Sequence, residues 1–150
     1  MIDNKNIGKA FTKVLLIVIV FCFCPGTLVA GDKNPKFRVI AFYKAENDQA
    51  HISFVHEANR WFSRMSEKYN FSYDSTRDWN RLNQDILSGY DIVIFLDARP
   101  DSQDQREAFQ NYMEHGGAWM GFHFAAFALN HSDFPQDWQW YHNRFLGSGE

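Results

Sequence analysis

Apolar and polar positions along this chain follow two rhythms. Residues 37–43 (FRVIAFY), 91–96 (DIVIFL) and 118–122 (AWMGF) are short, nearly continuous apolar runs rich in β-branched and aromatic side chains. Runs of that length and composition predict strands covered on both faces. Over 52–69, Phe54, Ala58, Trp61, Phe62, Met65 and Tyr69 recur at helical spacing, with Glu57, Arg60, Arg64 and Lys68 on the other side, which predicts an amphipathic helix. Residues 71–75 (FSYDS) alternate and read as a shorter, more exposed strand, and 83–88 as a short helix ending at Gly89. Ser102 is placed to cap a helix running to His115, with Asp104 and Glu107 near its start, Gly116 as its stop, and Phe109, Tyr112 and Met113 as its buried stripe. Residues 124–129 and 137–146 also read as helical, and 44–50 as a polar loop. The order β-α-β-(α)-β-α-β-α predicts an α/β fold in which helices cover a parallel sheet.

The N-terminus breaks this pattern. Lys5, Lys9 and Lys13 precede an apolar run of 11 residues at 14–24, then Pro25-Gly26 and a small residue, Ala30. A basic region, a short apolar core and a small residue at the end describe a secretory signal over 1–30, cleaved after Ala30. Eleven residues at about 1.5 Å each are too short to span a bilayer, and the stretch on to Ala30 leaves an uncleaved anchor as the alternative. Residues 31–36 form a polar linker, and 37–150 form the domain. The expected product is exported, with no stable membrane span after cleavage.

Removing the leader changes the chemistry available. Both cysteines, Cys22 and Cys24, lie within it, so the exported part has no disulfide and no thiolate. Beyond residue 30 there are 12 Lys+Arg against 17 Asp+Glu, with no basic cluster. That balance argues against nucleic acid as a partner.

In open parallel sheets, ligands sit at the carboxyl ends of strands. The residues just past each strand are therefore the candidates: Lys44 and Glu46 after the first, Asp97 and Arg99 after the third in the order above, and His123 after the fourth, with His51 at the mouth of the first helix. The segment GFHFAA (121–126) has the layout of a nucleophile elbow, a strained strand-to-helix turn flanked by small residues, with His rather than Ser or Cys at its apex. An imidazole there suits acid/base work or metal ligation, and is a poor acyl-transfer nucleophile. His123 would be the central catalytic group, with His51 and Asp97 assisting. The bland readings are a strand-end His satisfied locally, a surface or capping His51, and an Asp97 that caps its own turn. The cofactor is open; a divalent metal held by His51, His123 and Asp97 is one candidate. Trp138, Trp140 and Tyr141 suit stacking on a sugar face, or equally packing of the last helix onto the sheet.

Taken together, FRVIAFYK, the His51-x-Ser53 pair opening a helix, YDIVIFLDA (90–98), GFHFAA and a closing Trp-x-Trp-Tyr with Gly147 resemble the ThuA-like family, named for trehalose utilisation, within the class I glutamine amidotransferase-like fold. The resemblance runs from Phe37 to Gly147. It implies a flavodoxin-like three-layer sandwich with a mostly parallel sheet and a functional edge at the strand ends. It also implies a role in using a sugar or sugar derivative, with a small-molecule carbohydrate as partner. Relatives in the wider fold carry Cys at the elbow; His123 stands there, so thiol-dependent glutamine hydrolysis is not expected. A non-catalytic carbohydrate-binding or structural module is the alternative. Two departures accompany the resemblance. The 45–50 segment (AENDQA) replaces a Gly-Phe-Arg/Tyr type of approach, and family domains continue past the Trp-x-Trp-Tyr region, so 37–150 is expected to be the N-terminal part of such a domain.

Overall fold

Strand β1 (Arg38–Phe42) forms from the apolar run at 37–43, and four of its five residues are buried. In the computed structural model, which describes residues 34–126 and 138–147, it pairs in parallel with β2 (Ser72–Thr76) on one side and β3 (Ile92–Phe95) on the other. Strand β4 (Ala118–Gly121) adds in parallel to β3. The strand order is β2-β1-β3-β4, so all four strands are parallel and the expected α/β sheet is realised. These elements belong to one unit, Lys33–Glu150. The leader at 1–30 and the helical stretch expected at 127–129 lie outside the described residues, as do residues 31–33 of the linker.

Alternate residues of the strands feed two cores. Ile40, Phe42, Val93 and Phe95 face helices α2 (Gln84–Leu87) and α3 (Gln103–Glu114). Val39, Ala41, Ile94 and Leu96 face helix α1 (Gln49–Tyr69). The result is three layers, helix on sheet on helix. Helix α3 starts with a capping box in which Ser102 and Gln105 satisfy one another's backbone N–H groups, and buries Phe109 completely.

Helix α1 departs from the sequence pattern in two ways. It begins at Gln49 because Asp48 caps it, its carboxylate accepting the N–H groups of Ala50 and His51. Its inward stripe is Val55 and Ala58 with Phe62 packed beside them, whereas Phe54, Trp61 and Tyr69 are exposed. The sheet leaves room under the helix for a narrow stripe of small side chains, and the larger rings flank it. No helix among the described residues is long and apolar enough to cross a membrane.

Candidate functional site

The chain leaves β1 for β2 in one direction and later crosses back over β1 to β3, so the strand order reverses between β1 and β3. The loops following those two strands diverge there and open a crevice at the carboxyl edge of the sheet. Asp97, two residues past β3, spans it. Its two carboxylate oxygens accept the backbone N–H of Lys44 at 2.8 Å and of Ala45 at 2.6 Å, both from the loop after β1. The same loop is held from the β2 side by the Trp79 indole N–H donating to the Tyr43 carbonyl at 3.2 Å, and by Arg77 paired with Glu46 at 3.1 Å. So tied, the loop takes a cramped path in which Ala45 (φ 55°) and Asn47 (φ 66°) both lie in the left-handed region.

His51 sits in the first turn of α1 and is half-buried. His123 lies two residues past β4, at the start of a 3-10 turn (His123–Ala125), with φ 43°. A non-glycine residue held there is strained, as an elbow apex is. Gly121 makes the approach possible: a Cβ at that position would run into the Trp119 indole and lie 3.1 Å from the Ala125 methyl. The two imidazoles meet edge to face with centroids 5.2 Å apart, and the Phe124 ring lies 4.3 Å from that of His51, also edge to face. Asp48 completes the group. Hydrogen bonds from the Ala50 and then the His51 backbone N–H hold its carboxyl below the ordinary value, and the charges of His51 and His123 add to the effect.

Two of the residues singled out in the sequence thus come together as side chains, His51 with His123, and a third, Asp97, shares the crevice in a different role. With both oxygens of Asp97 taken up by backbone N–H groups, it braces the two loops against each other and does not complete a metal triad. Among the described residues no group of three His, Cys, Asp or Glu side chains could hold a metal ion, so the His51–His123–Asp97 metal set is not assembled.

The aromatic tail packs inward. Trp138 is 8% exposed and Tyr141 fully buried, both in the core on the α3 side of the sheet, stacked at 4.6 Å. Trp140 is half-buried and stacked on Phe145 at 5.1 Å within a π-helical turn (Trp140–Phe145). Rings enclosed in this way pack the last segment and offer Trp138 and Tyr141 no open face for a sugar. Tyr141 instead donates its phenol O–H to the Ala125 carbonyl at 2.7 Å, propping the turn that carries His123.

In the sequence pattern Asp48 falls within the polar loop at 44–50. The signal that points to it is an Asp immediately before the first helical residue. Phe124 carried no signal at all, because its contact with His51 joins positions that only the fold brings together.

Chemically, two neighbouring imidazoles at a cleft with a carboxylate beside them can hold a proton on one ring and accept one on the other, which suits general acid/base catalysis near neutral pH. No thiol stands at the elbow. Against known proteins, a family model described as ThuA, trehalose utilisation, matches residues 38–149. A crystal structure of a ThuA-like protein from Bacteroides uniformis ATCC 8492 is similar at 33% identity with a TM-score of 0.69, over 77% of this chain and 45% of that one. This chain therefore spans less than half the length of that structure. Among curated proteins no match is found. With the family model covering the whole sheet and both histidines of the crevice, the chain belongs to the ThuA, or trehalose utilisation, family.

Proposed function

We propose that the protein is exported and acts on a sugar or sugar derivative, with His123 and His51 as its acid/base pair and Asp48 holding α1, and with it His51, in place. The observation that carries this reading is the edge-to-face contact of the two imidazoles at 5.2 Å, at the carboxyl edge where strand order reverses. One imidazole there is held on a strained backbone and the other at a capped helix start. Membership of a family named for trehalose utilisation directs the search to disaccharides and their derivatives. The basic-apolar-small leader of the sequence supports export.

The test is a panel of disaccharides and keto-sugars offered to the wild type and to His123→Ala. The expected outcome is turnover of at least one sugar that falls by about 10²–10⁴-fold in the variant, the range an acid/base group supplies. A variant that turns over every accepted sugar at the wild-type rate overturns the catalytic role. Export is checked by N-terminal sequencing of the protein recovered outside the cytoplasm, which is expected to begin at Gly31.

A further inference from the structure

The crevice has two lobes, one carrying charged groups and the other almost wholly apolar. The first, about 280 Å³, presents more apolar than polar surface but is edged by charged groups, Lys44, Asp48, Asp97, Arg99 and Asp101. The second, about 380 Å³, is walled by Ala50, Phe54, Leu96 and Phe122, with His123 on its margin. His51, Asp97 and Phe124 line both, so the lobes meet at His51, with His123 on the wall of the second. Together they fall within the roughly 300–1,000 Å³ of small-molecule sites.

A free sugar carries hydroxyls around its rim and is matched best by the first lobe, where Lys44, Arg99 and the carboxylates supply partners. Its C–H face can stack on one ring, but lodged wholly among Phe54, Phe122 and Phe124 its hydroxyls would give up hydrogen bonds to water without replacement. The ligand that satisfies both walls has one hydrogen-bonding end and one apolar end, with its junction beside the two histidines. Resting on the sugar reading above, we infer that the substrate is a glycoside with an apolar aglycone. The sugar occupies the first lobe, the aglycone lies on the phenylalanines, and the glycosidic linkage sits beside His51 and His123. Phe54 and Phe122 also wall an exposed groove that includes Trp61 and Met120, which leaves space for an aglycone longer than one ring.

Calorimetric titration of the full chain with methyl α-D-glucopyranoside and phenyl α-D-glucopyranoside tests this. The phenyl glucoside is expected to bind about tenfold or more tightly, because its ring is buried against Phe54 and Phe122. Phe54→Ser is expected to abolish that advantage while leaving the methyl glucoside's affinity unchanged. Saturation-transfer NMR on the wild type, which needs no variant, is expected to show strong transfer to the aglycone ring protons. Equal affinity for the two glucosides, or a phenyl advantage that survives in folded Phe54→Ser, overturns the inference and leaves the sugar reading standing. Failure of both glucosides and of every sugar in the panel to bind overturns the two together.

Discussion

Single residues carry most of the strain and charge of the crevice. Ala45 holds φ 55°, where glycine is at ease and alanine is not. Ala45→Gly is therefore expected to stabilise the protein by about 1 kcal/mol despite the added chain entropy of glycine, seen as a rise of several degrees in Tm. Asp48 is a second case. Its folded-state carboxyl lies below its ordinary value because the Ala50 and His51 backbone N–H groups bond the charged form. A depressed acid contributes stability that is present above its unfolded pKa, near 4, and is lost as pH falls through the lower folded value. Asp48→Asn keeps a capping oxygen and removes the charge, so acid titrations followed by circular dichroism should show a shallower loss of stability below about pH 4 than in wild type. Asp48→Ala, which removes the cap as well, should lower Tm at neutral pH too. At this scale the sequence was only partly legible. His51 and His123 could be named from strand-end logic, whereas the bracing role of Asp97 depends on two N–H groups more than fifty residues away.

At the scale of elements, the elbow depends on its neighbours. Gly121 gives up its side-chain space to the Trp119 indole, which packs on Phe95, Phe109 and Tyr141. Gly121→Ala is expected to displace that indole, cost about 1–3 kcal/mol as overpacking does, and lower activity with it. The π-helical turn acts on the same elbow from below through Tyr141. Tyr141→Phe removes one hydrogen bond to the Ala125 carbonyl in a buried setting, at a cost of about 1 kcal/mol in denaturant unfolding. Strands and helices were legible here because burial on two faces and a 3.6-residue period leave distinct patterns. The tail was not, since a cluster of rings reads alike whether it packs inward or binds outward. The apolar face of α1 was misjudged for a related reason: size marks a residue as apolar, while the space beneath the helix decides which apolar residues go in.

On the scale of the whole molecule, the two cores each enclose a phenol. Tyr73, on the α1 side, and Tyr141, on the α3 side, are pushed well above the ordinary tyrosine range by burial. For such groups the folded state retains the proton that the unfolded chain releases, so their contribution is present below pH 10 and declines as pH rises beyond it. Unfolding scans should show stability falling steadily above about pH 10, with Tyr141→Phe reducing the slope. The layered α/β architecture was legible in the alternation of strand and helix patterns; the order β2-β1-β3-β4 was not written in any one segment, because it arises from where the crossovers send the chain. That order gives Asp97 a further meaning. A single carboxylate holds the amides of Lys44 and Ala45, and through them the two loops that wall the crevice, so neither loop can swing away while the other stays bridged. In hydrogen exchange, the Lys44 and Ala45 amide protons should therefore exchange in step, at the rate at which the crevice opens as one unit. In Asp97→Ala both amides should lose their protection together.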